Sequence, residues 1–361
     1  MSVGANSFGS RFVVTSFGES HGPGLGVIID GCPAGVNVDL ELLLSDLKRR
    51  RPGRHGKVAS VVSDREEEDQ PEILSGVFEG KTLGTPIAVL VRNRDQRSED
   101  YREVKAKARP GHADDMWREK FGHSDHRGGG RSSGRETLAR VIAGSFAKML
   151  LRQIKPDINI LGFVREVGPL SLSREDLSSL DAGIQQGRWT SADVDAFTAR
   201  IPSVETSQAV EQLLLEAKAE GKSYGGVAEL WVQAPPAYLG QPVFHKLKSE
   251  LAAAMLSVGA TSAFELGSGF AAASAEGSAF HNQSGGDNQL LQDQYGGIRG
   301  GIGTGETIRF SVAFKPTATV LDVAKKGRHD PCIVPRAVPV LEAMTALVLA
   351  DHVLWSRTDR V

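Results

Sequence analysis

Residues 109–136 combine side chains that bind phosphate with side chains that transfer protons. The stretch contains three histidines, five arginines, a triple glycine and a pair of adjacent serines. Its segment 128–135 runs directly into a predicted helix, where free N–H groups, two hydroxyls and two guanidiniums would surround an anion. The sequence therefore predicts a polyanion site here. The order G-K-[ST] of a Walker A loop is missing.

Three histidines in this stretch, His112, His123 and His126, have aspartates nearby and could in principle bind a metal. Their spacing matches no common zinc pattern, and the last two lie in a glycine-rich loop. We therefore predict no metal site.

The sequence GESHG at residues 18–22 matches G-x-S-x-G, which in hydrolases places a serine nucleophile on a strand-to-helix turn. A Gly/Pro turn and an apolar strand follow here, so a hydrolase with Ser20 as nucleophile is disfavoured. His21 is a candidate general acid, because free histidine titrates at about pH 6.5. A structural loop histidine is the alternative.

Cations also cluster near both ends of the chain. The run RRRPGRHGK at 49–57 follows a predicted helix, and it is either a solvated basic turn or part of an anion site. RNA binding is disfavoured because aromatic stacking partners are missing nearby. Asp330 follows two lysines, an arginine and a histidine, which would keep its carboxylate ionised and able to accept a proton. A loop cap is the alternative role for Asp330.

The composition limits the class of protein. The chain has 361 residues and a net charge of −2, so wholesale binding to nucleic acid or a membrane surface is not expected. We find neither a signal-peptide pattern nor an apolar run of about 20 residues. Cys32 and Cys332 are too few for a disulfide framework, and we expect small buried side chains in a cytoplasmic protein. The glycines of GGIRGGIGTG at 296–305 lack the strand-then-helix context of a dinucleotide fingerprint.

Hydrophobic periodicity and turn residues predict interspersed strands and helices. Strands are predicted at 12–20, 26–31, 86–93, 226–233 and 306–314, and helices at 39–50, 134–153, 204–220, 242–257 and 336–355. Ser133 and Glu136 have the spacing of a capping box. The composition of residues 271–298, rich in glycine, serine and glutamine, predicts that this segment includes a loop. We expect a single large α+β domain, residues 1–361, of antiparallel sheets and helices.

Together these motifs resemble the chorismate synthase family. The resemblance rests on FGESHG, GVIIDGCPAG, RRRPG, DQRSEDY, RPGHAD, RGGGRSSGRET, FKPTAT and GRHDPCIVPRAVPVLEAM. They occur in the family's order and span roughly residues 8–355.

The resemblance implies a 1,4-anti elimination of phosphate from 5-enolpyruvylshikimate-3-phosphate to give chorismate, in the shikimate pathway. It implies reduced FMN as cofactor without net redox change, a homotetramer, and a monomer built as a β-α-β sandwich. The chain has no added reductase-like segment, so we expect a separate flavin reductase to supply reduced FMN rather than NADPH-dependent reduction by this chain.

The resemblance also implies roles for individual residues. His21 is similar to the acid that protonates the departing phosphate, His112 to a histidine near the flavin ring, and Asp330 to an aspartate that moves the proton at flavin N5. The residues similar to substrate contacts are Ser20, Arg50, Arg109 and Arg135. The residues similar to flavin contacts are Arg50, Arg54, Arg131, Ser132, Ser133, Gly259, Ala260, Gly300, Lys315, Pro316, Thr317, Ala318, Thr319 and Arg328.

The chain departs from the family pattern at two points. The family has a second arginine shortly after RRRPG, and either Arg54 or Lys57 could replace it here. Gly259 stands where many members have asparagine, so a side-chain contact to flavin is lost there while a backbone contact could remain. A protein that binds a phosphorylated metabolite or flavin without catalysis is the alternative function, although it leaves the clustered acids and bases unexplained.

Overall fold

The structure is a computed structural model, and it describes residues 4–51, 69–93, 111, 113–125, 127–281, 294–318, 320 and 330–361. Its strands are β1 Ser7–Phe8, β2 Val13–Phe17, β3 Gly24–Asp30, β4 Pro71–Ile73, β5 Val77–Phe78, β6 Lys81–Thr82, β7 Ile87–Arg92, β8 Asn159–Val167, β9 Leu170–Ser171, β10 Gly226–Gln233, β11 Thr261–Leu266, β12 Ile298–Arg299, β13 Ile302–Gly303 and β14 Ile308–Phe314.

The α-helices are α1 Leu40–Arg50, α2 Asp114–Phe121, α3 Thr137–Ile154, α4 Arg174–Gln185, α5 Ser191–Asp195, α6 Val204–Glu220, α7 Leu247–Leu256, α8 Gly277–His281 and α9 Val334–Ser356. Short 3₁₀ turns cover Arg127–Ser132, Gly134–Glu136 and Gly269–Ser274.

Two five-stranded antiparallel sheets contain most of the strand residues. The first has the order β1-β2-β3-β7-β4, and the second has the order β11-β14-β10-β8-β9. In β7 the buried residues Ile87, Val89 and Val91 alternate with partly exposed ones, so one face of the first sheet turns to the core. The predicted α+β class with antiparallel sheets is confirmed.

Most of the predicted elements are present. Helix α6 and strand β10 have the predicted bounds, and α1 begins after Asp39, whose carboxylate accepts a hydrogen bond from the Leu42 N–H at 2.9 Å. The predicted helix at 242–257 is shorter and begins only at Leu247. Strand β8 was not predicted, because four consecutive buried residues at 161–164 interrupt any alternation of buried and exposed positions.

The predicted capping box is wrong. The Ser133 hydroxyl accepts from the Arg135 N–H, and the Glu136 side chain instead forms an ion pair with Arg140 at 2.9 Å. A 3₁₀ turn therefore precedes α3, which starts three residues later than predicted.

The two central helices α3 and α9 pack against each other between the sheets. Helix α3 contacts β2 and β3 of the first sheet, whereas α9 contacts β8 and β10 of the second. At their crossing, a Cβ added to Gly144 would lie only 2.4 Å from the Cβ of Ala343, so the two backbones approach as closely as glycine allows. Contrary to the expectation from the sequence, helix α9 is apolar and long enough to cross a membrane. However, 94% of its apolar stretch is buried, as in a core helix.

A network of buried charges joins α1 to these central helices. The Arg49 guanidinium contacts both carboxylate oxygens of Glu342, and its Nε donates to Asp195 at 2.6 Å. Lys148 pairs with Asp46 at 3.0 Å, and Arg200 pairs with Asp195 at 2.6 Å. The three positive charges equal the three negative charges in number, so the buried network has no net charge, which limits the cost of burying it.

The charge network changes the ionisation of its members. Burial alone would raise the pKa of Asp195, but the positive charges of Arg200 and Arg49 outweigh it and hold that pKa below its usual value.

Both cysteines are buried, as predicted. Burial raises the pKa of Cys32 to about 11 and that of Cys332 to about 12, so both thiols stay protonated near neutral pH.

We expect Glu342→Gln to lower the free energy of unfolding by about 3–5 kcal/mol, because it leaves Arg49 buried without its main counter-ion. Denaturant unfolding followed by circular dichroism at fixed protein concentration measures the change. The control is Glu72→Gln, which breaks the exposed ion pair with Arg92 and should cost at most about 1 kcal/mol. Equal losses for the two variants would contradict a supporting role for the buried network.

Candidate active site

The GESHG turn and the triple glycine pack directly against each other. Ser20 and His21 lie on the turn between β2 and β3, so this turn leads into a strand and not into the helix that a hydrolase serine motif requires. Gly128 has a φ of +59°, and a Cβ there would lie 2.2 Å from Cδ2 of His21 and 2.9 Å from Oγ of Ser20. Only glycine fits this position. Two motifs separated by more than 100 residues therefore form one surface.

Arg131 fixes the strand that leads into the turn. Its Nη1 donates to the carbonyl oxygen of Gly18 at 2.9 Å, and its Nη2 donates to Oγ of Ser16 at 2.6 Å. The neighbouring Ser132 hydroxyl donates to the carbonyl of Gly129 at 2.7 Å. The polar side chains of this loop thus also stabilise the loop itself.

Asp69 binds two arginines at once. Its Oδ2 accepts a hydrogen bond from Nη2 of Arg50 at 2.7 Å, and its Oδ1 lies 3.3 Å from Nη1 of Arg135. Arg50 is 2% exposed and Asp69 is 3% exposed. Because one carboxylate is shared between two guanidiniums, this cluster of three side chains carries one excess positive charge.

Asn93, just after β7, links Arg135 to the GESHG turn. Its Oδ1 accepts from Nε of Arg135 at 2.9 Å, while its Nδ2 donates to the carbonyl oxygens of Gly22 at 2.7 Å and Ser20 at 3.2 Å. Arg50, Asp69, Arg135 and Asn93 therefore form a continuous network that ends beside His21.

A cavity of about 700 Å³ opens next to this network, and Arg50 lines it. Most of the predicted flavin contacts within the described residues also line it: Arg131, Ser132, Ser133, Gly259, Ala260, Lys315, Pro316, Thr317 and Ala318. Segments 259–260 and 315–318 are adjacent because the Lys315 N–H donates to the carbonyl of Ala260 at 3.0 Å. The volume is within the usual range of small-molecule sites.

Some predicted residues lie elsewhere. Gly300 is in the hairpin between β12 and β13 and does not line this cavity. The side chain of Lys315 donates to the carbonyl of Gly111 at 3.0 Å, and both Gly111 and Ala113 line the cavity. The predicted residues Arg54, Lys57, Arg109, His112, His126, Thr319 and Arg328 lie outside the described residues, as do the cations predicted around Asp330.

The sequence did not identify several residues of this region. Arg336 pairs with the Asp330 carboxylate and lines the cavity. Arg140 donates to Oγ of Ser257 at 2.6 Å and so ties α3 to the 257–260 turn. Trp117 on α2 adds an aromatic wall. Arg336 lies in the motif GRHDPCIVPRAVPVLEAM, so the sequence did contain a signal for it. Asp69 and Asn93 were also missed, because their partners are distant in the chain and no motif spacing indicates them.

Over the described part of the chain, no group of three or more His, Cys, Asp or Glu side chains could hold a metal ion. His123 is exposed on the loop after α2.

Comparison with known proteins agrees with this arrangement. The family model for chorismate synthase matches residues 12–354. The chain is 60% identical to a chorismate synthase of Bdellovibrio bacteriovorus over 359 residues, 99% of this chain and 100% of the relative. It is 45% identical to a chorismate synthase of Opitutus terrae over 98% of this chain and 97% of the relative.

A solved structure described as a crystal structure of chorismate synthase superposes with a TM-score of 0.76 and 30% identity. It covers 97% of this chain and 93% of the solved chain. The family model that matches nearly the whole length and the full-length relative at 60% identity indicate the same family. The chain belongs to the chorismate synthase family, whose members are lyases of aromatic biosynthesis.

Proposed function

We propose that the elimination of phosphate from 5-enolpyruvylshikimate-3-phosphate takes place beside the 700 Å³ cavity, at the network that runs from Arg50 in the cavity wall through Asp69, Arg135 and Asn93 to the His21 turn. The observation that carries this proposal is the buried cluster of Asp69 with Arg50 and Arg135. The substrate has two carboxylates and a phosphate, so its removal from water requires cations that are already in place. Arginine suits this task because its planar fork binds two oxygens at once.

Reduced FMN would occupy the cavity itself. Arg131, Ser132, Ser133 and Lys315 would bind its phosphate and polar edges, and the apolar side chains of Val14, Val27 and Met344 suit an aromatic ring. When bound, reduced FMN supplies an electron transiently and recovers it, without net redox change. A separate flavin reductase would provide the reduced form.

His21 would protonate the departing phosphate, and Arg135 would stabilise its charge. The close packing of Gly128 against the His21 ring favours one ring position. Arg336 would hold the Asp330 carboxylate in place to accept the proton at the flavin. His112 and Arg109 complete the proposed set.

Assembly and organisation are also proposals. The first sheet packs on α3, the second packs on α9, and these two helices pack on each other, which supports a single β-α-β sandwich domain over residues 1–361. Three apolar side chains of the 234–246 loop, Tyr238, Val243 and Phe244, are exposed, the last by 88%. Exposed apolar groups of this kind occur at subunit contacts, which supports a homotetramer. Cys32 and Cys332 are both free thiols, and the reducing cytoplasm is the compartment in which free thiols persist, which supports a cytoplasmic location.

Under anaerobic conditions, the protein with reduced FMN and substrate should release chorismate and phosphate. We expect His21→Ala to lower kcat roughly 100- to 10,000-fold through loss of the general acid, with FMN affinity unchanged within about threefold. The control His245→Ala removes an exposed histidine paired with Glu250 and should keep full activity. Absence of product from folded wild-type protein would favour a binding protein without catalysis, and full activity of His21→Ala would exclude His21 as the acid.

We expect Asp69→Asn to lower kcat/KM roughly 30-fold, because the change removes the negative charge that forms a hydrogen bond with Arg50, worth about 2 kcal/mol, and an ion pair with Arg135. Steady-state kinetics with varied substrate at saturating reduced FMN measure the loss. Glu72→Gln, at an exposed ion pair, should leave kcat/KM unchanged. Wild-type kinetics for Asp69→Asn would show that Asp69 does not position the arginines for the reaction.

A further inference from the structure

Asn93 makes hydrogen bonds in three directions at the centre of the proposed site. Its Oδ1 accepts from Nε of Arg135 at 2.9 Å. Its Nδ2 donates to the carbonyl oxygens of Gly22 at 2.7 Å and Ser20 at 3.2 Å. Its backbone N–H donates to the carbonyl of Pro23 at 3.0 Å. One side chain therefore contacts a substrate-binding candidate and the backbone on both sides of His21.

The chemistry of the partners allows only one orientation of this amide. Carbonyl oxygens can only accept hydrogen bonds, so the NH₂ group must face Ser20 and Gly22. The Nε–H of Arg135 can only donate, so the oxygen must face Arg135. A rotation of the amide by 180° would set donor against donor and acceptor against acceptor. A serine or threonine hydroxyl could accept from Arg135 but has one proton to donate, whereas the asparagine amide has two N–H groups for the carbonyls of Ser20 and Gly22.

The groups that Asn93 joins are also held from their other sides. The triple-glycine loop lies against the turn, because a Cβ on Gly128 would be 2.2 Å from Cδ2 of His21 and the Ser20 N–H donates to the carbonyl of Gly130 at 3.4 Å. The Nη1 of Arg135 lies 3.3 Å from Asp69. Arg131 also holds the strand before the turn, through the carbonyl of Gly18. Of the described side chains, Asn93 is the one that bonds both to the backbone beside His21 and to the Arg135 guanidinium.

We propose that Asn93 is a positioning residue that sets the distance between the His21 imidazole and the Arg135 guanidinium. The proposal rests on the roles proposed above for His21 and Arg135. An acid and a cation that act on the same departing phosphate must both lie within hydrogen-bonding distance of it. A misplacement of about 1 Å can reduce the rate roughly 100-fold.

Two variants separate the contacts. Asn93→Ala removes all side-chain bonds, whereas the isosteric Asn93→Asp keeps an acceptor for Arg135 but loses the donors to the turn. We expect both to lower kcat roughly 10- to 100-fold in the anaerobic assay, with the dissociation constant of oxidised FMN changed by less than about threefold. The control Asn159→Ala removes a similar amide bond, to Gln233 at 2.9 Å, and should keep wild-type kcat.

A double-mutant cycle with His21→Ala then tests whether Asn93 acts through His21. In the His21→Ala background we expect Asn93→Ala to change kcat by less than about threefold, because the acid that it positions is already absent. An equal loss in both backgrounds would overturn the proposal, as would wild-type kcat for Asn93→Asp, which folds without the donors. Wild-type kcat for His21→Ala would instead refute the role proposed for His21, and with it the positioning of that residue.

Discussion

Two consecutive arginines at the end of α1 are both buried, and each therefore requires a buried carboxylate. Arg49 turns into the core, where Glu342 and Asp195 neutralise it. Arg50 turns toward the cavity, where Asp69 pairs with it. Because an unpaired charge cannot remain in the interior, these partners fix the end of α1 relative to α9 and to the first sheet. The remaining anion-binding groups are arranged around that fixed point.

The proposed site is assembled from segments that are far apart in the chain. Gly128 of the triple glycine packs on the GESHG turn, and Asn93 after β7 links that turn to Arg135. Asp69 joins Arg135 to Arg50 at the end of α1. Arg50 and Arg336, which lies near the start of α9, both line the cavity. Each cation described there also bonds to a carboxylate, an amide or a backbone carbonyl. These bonds hold the arginine side chains in one orientation. An anion that binds there is therefore met by N–H donors that are already in place and do not have to move.

The sequence predicted the elements that have a local signal. Asp39 marked the start of α1, and the pattern of apolar residues marked β10 and α6. The anion-binding character of the 128–135 loop also followed from composition. Strand β8 lacks an alternating pattern, and Glu136 satisfies the capping-box spacing but bonds Arg140 instead. Asp69 and Asn93 could not be identified, because a lone aspartate or asparagine acquires its partner only when distant segments pack together.

The crossing of α3 and α9 at Gly144 and Ala343 has a practical consequence for protein engineering. Replacing a glycine inside a helix with alanine usually raises the free energy of unfolding by about 1 kcal/mol. Gly144 would therefore be an obvious target in a search for heat-stable variants. Here the added methyl would force the helices apart. The crossing lies roughly 10 Å from the start of α3 and roughly 14 Å from the start of α9. A wider crossing would therefore shift both cavity walls, and greater thermal tolerance has to be sought at other glycines.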